Sequence, residues 1–240
     1  ERFDSLTETL DEALVPRVVE VRRLTKTIIE VVVHARYAAR KFRPGQFYRL
    51  QNYESHASVV NGVRLTLEGI ALTGAWVDLE KDQLGLIVLE MGVSSRLCAQ
   101  LQPGEPIVVM GPTGTPSETP TGETVLLVGG GLGNAVLFSI GKELRDRGSR
   151  VLYFAGYRGK EDMFLQESIE QATDEVVWAV DRGDAIVPRR PQDKTYVGNI
   201  VQAMTAYAEG TIPGSRDVLL SDVDRIIAIG SDRMMAAVAA

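Results

Sequence analysis

The sequence predicts a β + α/β chain: a small antiparallel barrel or sandwich followed by a doubly wound parallel sheet. Short apolar runs with strand composition fill the first half, separated by Gly, Pro, Asn and Asp. A stretch rich in Gly, Pro, Ser and Thr follows at 111–123, and beyond it strand and helix patterns alternate. We therefore expect a polar arm over residues 1–14, a first domain over 15–118 and a second domain over 119–240.

Strands are predicted throughout the first domain, because its apolar runs are bounded by turn-forming residues. One short helix, "SSRLCAQL", interrupts them, with Ser94 or Ser95 as its N-cap. The predicted strands lie in "PRVVEVRRL", "KTIIEVVVHA", "GQFYRLQ", "GVRLTL", "IALTGAWV", "LGLIVLE" and "EPIVVMG".

The second domain opens with a strand, a glycine-rich turn and an amphipathic helix, in which Val136, Leu137, Ile140 and Leu144 have helical spacing. Alternation of this kind forms βαβ units, whose strands lie side by side in a parallel sheet. The patterns are "TVLLVG", "NAVLFSIGKELRDR", "SRVLYFAG", "DMFLQESIEQA", "EVVWAVD", "VGNIVQAMTAY", "RIIAIG" and "DRMMAAVAA".

Composition excludes several classes of function. With 45% apolar and 24% charged residues, the 240-residue chain is typical of globular proteins, and a net charge of -6 argues against a dedicated nucleic-acid binder. No apolar run approaches the roughly 20 residues of a membrane span, and the polar start is not typical of a signal peptide. Cys98 is the only cysteine, so no internal disulfide and no cysteine-built metal site are expected. We expect a cytoplasmic protein.

The glycine-rich turn of the second domain is the strongest candidate site. A helix N-terminus offers free N–H groups and a favourable dipole to a phosphate, and glycine lets the backbone approach it closely. The turn departs from the usual G-x-G-x-x-G pattern, and the alternative is a tight connection that binds nothing. The residues predicted to contact a nucleotide are Gly129, Gly130, Gly131, Leu132, Gly133 and Asn134.

Five segments, in order from about Val15 to the end, resemble the ferredoxin-NADP reductase superfamily. They are "RPGQF", "EMGVSSRL", "PGEPIVVMGPTG", "GGGLGNAV" and "IAIGSDRMM". The resemblance is strongest to the electron-transfer subunits of dihydroorotate dehydrogenase and the small subunit of NADH-dependent ferredoxin:NADP oxidoreductase. It implies an FAD-binding β-barrel followed by an NAD(P)-binding domain.

The resemblance also implies which residues hold FAD. "EGIALT" is similar to the E-R-I-P-L-T segment of that branch, so Thr73 would face flavin N5 as the catalytic position, with Leu72 beside it. The arginine of that segment is missing, and Arg49, Arg64 or the backbone near Gly92 could supply the compensation. The pyrophosphate would lie against Gly92, Val93, Ser94 and Ser95.

On the second domain, the resemblance places Tyr157 and Arg158 near the adenosine ribose, and Gly230 and Met234 beside the nicotinamide. Arg158 could bind a 2′-phosphate, whereas Glu161 and the following Asp162 would repel one. We expect NADH as the donor rather than NADPH.

The branch carries a cysteine cluster for a [2Fe–2S] centre after the nucleotide domain. Because the sequence stops at Ala240, inside an expected helix, we expect a fragment, with a [2Fe–2S] site in the missing C-terminal segment. Partners would be subunits or fused domains that carry iron–sulfur clusters.

The remaining chemistry-bearing residues are expected to be structural. His34 and His56 are predicted to be surface or loop residues, because no nucleophile or carboxylate partner stands at a recognisable spacing. Cys98 is expected to pack against the barrel, and Trp76 and Trp178 to lie in a core or an interface. No residue is predicted to bind a metal.

The function predicted from these features is electron transfer from NAD(P)H through FAD to an iron–sulfur partner or domain. Two alternatives stay open: a stand-alone NAD(P)H-dependent flavin reductase of a small acceptor, and a non-catalytic nucleotide-binding scaffold. A C-terminal segment with four cysteines would favour the first function, and a colourless protein would favour the scaffold.

Overall fold

The computed structural model describes residues 5, 7, 10, 11 and 14–240. The arm predicted over residues 1–14 therefore lies largely outside the described residues. The chain divides into two compact units, one ending at Ser117 and one beginning at Glu118. In the part of the chain that the structure describes, no helix is both long and apolar enough to cross a bilayer.

The first unit contains a six-stranded antiparallel sheet of order β1-β2-β7-β6-β3-β8. Its edge strands meet through a bridge between Arg17 and Pro106, and the N–H of Ile107 donates to the carbonyl of Pro16 at 2.9 Å. The sheet therefore closes into a barrel and is not a sandwich. The strands are β1 Arg17–Arg23, β2 Ile28–His34, β3 Phe47–Asn52, β6 Ile70–Asp78, β7 Gln83–Leu89 and β8 Ile107–Thr113.

Successive residues of the barrel strands point alternately into the core and toward the outside. On β3, Tyr48 and Leu50 are fully buried, whereas Arg49 between them is exposed. The segment predicted as a strand in "GVRLTL" does not join the barrel. It contributes only β5 (Val63–Arg64), which pairs with β4 (Val59–Val60) in a separate hairpin.

Two short α-helices lie between strands of the first unit. The sequence did not predict α1 (Arg36–Lys41), whose residues Ala38 and Ala39 are buried and whose Ala38 carbonyl accepts a hydrogen bond from the Tyr48 hydroxyl at 2.9 Å. The predicted helix is present as α2 (Val93–Leu97), but the predicted N-cap is wrong. Gly92 is the N-cap, because the Ser95 hydroxyl bonds back to the Gly92 N–H from within the helix.

Trp76 lies on the barrel wall with a defined polar partner. Its indole N–H donates to Oε1 of Glu30 at 2.5 Å, and Arg22 forms an ion pair with the other carboxylate oxygen. Gly85 makes room for the indole, since a Cβ there would lie 2.3 Å from the ring. The half-buried Trp76 therefore compensates a carboxylate whose side chain is 0% exposed.

The second unit contains a five-stranded parallel sheet of order β12-β11-β10-β9-β13, so the predicted fold class is confirmed in both halves. The strands are β9 Thr124–Gly130, β10 Arg150–Tyr157, β11 Glu175–Val180, β12 Lys194–Val197 and β13 Arg225–Ile229. The helices are α3 Asn134–Asp146, α4 Gln166–Gln171, α5 Ile200–Glu209 and α6 Asp232–Ala239.

Helices cover both faces of this sheet. Leu126 and Val128 point into a core cluster with Ile200 of α5. Leu127 points the other way, toward α3, where a Cβ at Gly141 would lie 3.1 Å from it. Trp178, predicted to lie in a core or an interface, is fully buried in the core of this unit.

The short strand β12 was missed in the sequence, where "KTYV" follows a polar loop. It begins with Lys194, whose side chain is 3% exposed and lies 2.5 Å from the fully buried carboxylate of Glu175. A lysine is rarely buried unless it is paired. The burial of Lys194 could therefore not be predicted without knowing that Glu175 lies on the neighbouring strand. The ion pair fixes the amino ends of β11 and β12 side by side.

Cys98 is fully buried in the barrel core, as predicted. Its thiol donates to the Ser94 carbonyl at 3.4 Å, and burial raises its pKa to about 12. The thiolate is the reactive species, so the native thiol should be inert.

We expect no reaction of the native protein with Ellman's reagent at about pH 8, and one equivalent after unfolding in guanidinium. Absorbance of the released thiolate measures both. Reaction of the native protein at the rate of a small thiol would contradict the buried position.

Candidate functional site

The glycine-rich turn lies at the carboxyl end of β9, where open parallel sheets bind ligands. Gly129 and Gly130 end the strand, Gly131–Gly133 form one turn of 3-10 helix, and α3 begins at Asn134. Gly131 has a φ of +55°, and a Cβ there would meet no atom within 4 Å. The turn therefore borders open space that a side chain at Gly131 would enter.

The other glycines of the turn are required by packing. A Cβ on Gly133 would lie 2.0 Å from the carbonyl oxygen of Ile229 on β13. A Cβ on Gly130 would lie 2.4 Å from the sulfur of Met234, and a Cβ on Gly230 would lie 2.7 Å from the same atom. Gly130, Gly230 and Met234, all predicted cofactor contacts, thus form one close-packed group at the ends of β9 and β13.

Asn134 holds the turn in place. Its side-chain amide donates to the carbonyls of Gly131 at 3.0 Å and Gly156 at 3.3 Å, and its oxygen accepts from the Tyr153 hydroxyl at 3.0 Å. The residue is 0% exposed. Its side chain therefore positions the turn and has no free amide hydrogen for a ligand. Sequence reasoning missed Tyr153, because its hydroxyl gives no signal within a strand pattern.

The N-terminus of α3 favours an anion. No side chain caps it, and its first turn carries no acidic residue. The N–H of Asn134 donates to carbonyls of the preceding 3-10 turn, so the turn at 131–133 is the start of the helical run, and the helix dipole favours negative charge in front of it. Leu132, at the tip of the turn, is 37% exposed. A phosphate at this turn would meet backbone N–H groups and no competing carboxylate from the first helical turn.

The two residues predicted near the ribose lie in different environments. Tyr157 is only 4% exposed and stacks on Trp178 with ring centroids 6.5 Å apart. The ring of Tyr157 is therefore part of the core, and its contact with a cofactor stays a prediction. Arg158 is exposed, and its carbonyl accepts from the N–H of Arg182, an exposed residue at the end of β11 that the sequence reasoning missed.

Thr73 lies on the outer face of the barrel. It is half-buried on β6 and pairs with Phe47 of β3. Leu72, predicted as a cofactor contact beside it, points into the barrel core and is 6% exposed. Alternate residues of a strand face opposite sides, so the side chain of Leu72 points away from the face that carries Thr73. Only its backbone is available to a ligand.

The loop at Gly92 forms an open cradle on the barrel. Gly92 is exposed, and a Cβ there would meet nothing closer than the Ser95 hydroxyl at 4.0 Å. That hydroxyl accepts from the N–H groups of Met91 and Gly92 and donates to the Gly92 carbonyl, so Ser95 shapes the loop. The flanking Met91 and Val93 are 78% and 79% exposed, and Ser94 is half-buried.

A cavity of about 220 Å³ on the barrel lies away from these predicted positions. His34, half-buried at the end of β2, contributes to its lining together with Tyr37, Lys41 and Tyr53. His56 lies in an exposed turn after β3. Within the described residues, no group of three or more His, Cys, Asp or Glu side chains could hold a metal ion.

No family model matches the chain, but individual proteins are similar to it in sequence. An electron transfer subunit of dihydroorotate dehydrogenase B (NAD(+)) from Bacillus cereus is 30% identical over 168 residues, covering 68% of this chain and 61% of that protein. An uncharacterized protein of Rickettsia prowazekii is 35% identical over 138 residues, 58% of this chain and 19% of that protein. The chain thus spans about three fifths of the electron-transfer subunit.

Solved structures share the fold. An NADH-dependent reduced ferredoxin-NADP oxidoreductase matches with a TM-score of 0.71 and 24% identity over 93% of this chain and 70% of that chain. The ferredoxin reductase of carbazole 1,9a-dioxygenase matches with a TM-score of 0.68 and 23% identity, over 94% of this chain and 63% of that chain.

Gly131→Val should abolish nicotinamide-nucleotide binding, because a β-branched side chain disfavours positive φ and would enter the open space at the turn. Gly148→Val is a matched control at the other end of α3, since Gly148 has a φ of +78° and equally open surroundings. Titration of NADH by fluorescence measures the affinities. Equal affinity in the two variants would remove the turn as the nucleotide site.

Proposed function

Because the chain belongs to the ferredoxin-NADP reductase-like superfamily, we propose that it is a flavin-dependent electron-transfer module. It takes electrons from NAD(P)H, holds FAD, and passes the electrons to an iron–sulfur subunit or domain. The name of one similar structure, a ferredoxin reductase, supports this direction of transfer. The name of the electron transfer subunit supports electron exchange with a nicotinamide nucleotide without fixing its direction. Activity and partner are proposals, because the chain spans about three fifths of the electron-transfer subunit to which it is similar.

The observation that carries the proposal is the glycine-rich turn with open space in front of an uncapped helix N-terminus. Gly131 supplies the positive φ, Asn134 fixes the turn from behind, and no first-turn carboxylate opposes an anion. These features fit the pyrophosphate of a dinucleotide, which needs close backbone approach and several N–H donors. The residues proposed to bind it are 129–133.

The barrel face fits FAD. Gly92 leaves room for a phosphate, and the exposed Met91 and Val93 offer apolar surface beside it. Thr73 is placed on an outer face, where its hydroxyl can reach a ligand. When bound, a flavin supplies the chemistry of accepting a hydride and releasing its electrons singly.

The side chains of this chain are proposed to orient the bound cofactors and to compensate their charge. Hydride transfer needs no general base, and no histidine lies on the elements that carry Thr73 or the glycine turn. Cys98 is excluded as a redox thiol, because burial raises its pKa to about 12 and closes it off from solvent. The hydroxyl of Thr73 is proposed to hydrogen-bond the reacting edge of the flavin ring.

The full chain reconstituted with FAD should show a visible flavin band that bleaches on anaerobic addition of NADH. An oxidised [2Fe–2S] protein should then restore the band under anaerobic conditions. The Gly131→Val variant is the control, since it should bleach with dithionite and not with NADH. A protein that binds no FAD would leave only the scaffold function, and reoxidation by small quinones alone would indicate a stand-alone reductase.

NADH is proposed as the preferred donor. Arg158 is exposed, and Lys160 nearby is engaged with Asp184 at 3.3 Å. The carboxylate of Glu161 folds over Gly159, where a Cβ would lie 2.5 Å from it. A carboxylate beside Arg158 disfavours the added charge of a 2′-phosphate. The name of the dihydroorotate dehydrogenase relative, which specifies NAD(+), supports the same preference.

Arg158→Ala should change the apparent affinity for NADH by no more than about 1 kcal/mol, the scale of an exposed charge pair. The rate of flavin bleaching against NADH and NADPH measures the preference. Arg182 is also exposed, and its N–H bonds to the carbonyl of Arg158. The double variant Arg158→Ala/Arg182→Ala therefore tests whether Arg182 takes over the role of Arg158. More than tenfold preference for NADPH, lost in these variants, would contradict the proposal.

A further inference from the structure

An exposed arginine shares the barrel face that carries Thr73. Strands β3 and β6 pair in the register Phe47 to Thr73 and Arg49 to Ala71. Directly paired residues point to the same side of a sheet, and the residues between them, such as Tyr48, lie in the core. Arg49, Ala71 and Thr73 therefore project from one outer face, with Arg49 diagonal to Thr73.

The surface beside Arg49 is open because its neighbours are small. Ala71 directly opposite is exposed, and Gly69 two residues earlier carries no side chain. A Cβ on Gly69 would meet only the side-chain oxygen of Gln51, at 3.7 Å. A long guanidinium side chain can thus extend over Gly69 and Ala71 without displacing another group.

The topology places the Gly92 loop at the same end of the barrel. Strand β6 runs antiparallel to β7, with Gly74 opposite Leu86, so the start of β6 and the end of β7 lie at one end of the sheet. The loop of Gly92 follows β7 directly, and Gly69 precedes β6 directly. The open surface next to Arg49 therefore extends toward the cradle proposed for the pyrophosphate.

Two other cations lie near this region, and both have partners. Arg64 donates to the carbonyl of Glu54 at 2.8 Å. Arg96 on α2 acts on Glu90, whose pKa is lowered mainly by its hydrogen bond with Arg23 and to a smaller extent by Arg96. In the described part of the chain, Arg49 has no carboxylate within ion-pair distance. Its charge is therefore available to an anionic ligand, and Arg64, whose charge a backbone carbonyl does not neutralise, is the competing candidate.

We propose that Arg49 binds the phosphate of the flavin that lies nearest the ring, from the strand next to the one that carries Thr73. This inference rests on the proposed function, because it assumes that the Thr73 face binds flavin. Arginine suits the role, since its planar guanidinium can donate two parallel hydrogen bonds to phosphate oxygens. Arg49 thereby compensates the flavin phosphate on a β6 segment that has glycine and alanine, not a cation, on its outer face.

Binding of FAD, FMN and riboflavin to the flavin-free full chain tests this assignment. Arg49→Gln should weaken FAD and FMN about tenfold or more and leave riboflavin within about twofold, because only the first two carry the phosphate. Arg49→Lys should restore part of the loss. The FAD affinity of the unaltered chain should fall with added salt, and the slope should be shallower in Arg49→Gln. Quenching of flavin fluorescence measures each affinity.

Arg64→Gln tests the competing cation, and Arg36→Gln controls for the change in net charge. Both should bind FAD as the unaltered chain does. Equal weakening of all three flavins, no weakening at all, or a phosphate-dependent loss in Arg64→Gln would overturn the assignment of Arg49. If the unaltered chain bound no flavin, the proposed function itself would fail, a result that these variants cannot mimic.

Discussion

The path of the glycine turn depends on one buried amide, that of Asn134. Its two donors bind the carbonyls of Gly131 and Gly156, and its oxygen accepts from Tyr153, so the turn is tied to β10 as well as to α3. Loss of one of these partners would leave a polar group buried without a hydrogen bond, which costs about 1–3 kcal/mol. The turn is therefore held in position before any ligand arrives, which lowers the cost of binding one.

Hydrophobic alternation and turn chemistry were sufficient to predict the fold class. Strand patterns with turn formers indicated the barrel half, and alternating patterns indicated the parallel sheet. The failures lie where partners distant in sequence decide the structure. Helix α1 has only six residues, too few for a periodic signal, and β12 is secured by the buried pair of Lys194 and Glu175. Neither feature is local to its own segment.

The same limit applies to the site. The four glycines among residues 129–133 were identifiable because glycine permits backbone positions that other residues avoid. Tyr157 and Leu72 were assigned to cofactor contacts by resemblance, and the sequence did not reveal that both side chains face a core, because a shift of one residue along a strand moves a side chain to the other face. The position of Arg49 relative to Thr73 became known only from the structure. Its relation to Thr73 depends on the pairing register of β3 and β6, which cannot be read along either strand alone.

Met234 is a flexible side chain that packs against the glycines at the ends of β9 and β13. Its sulfur occupies the volume that side chains at Gly130 and Gly230 would require, while the backbone around it is fixed by the parallel sheet. A thioether on an unbranched chain changes rotamer at little cost and packs well against flat, polarizable rings. Whatever enters this space displaces one flexible side chain and leaves the hydrogen bonds of the sheet intact. The packing at the ends of β9 and β13 can thus adapt in shape while the turn at 131–133 keeps its path.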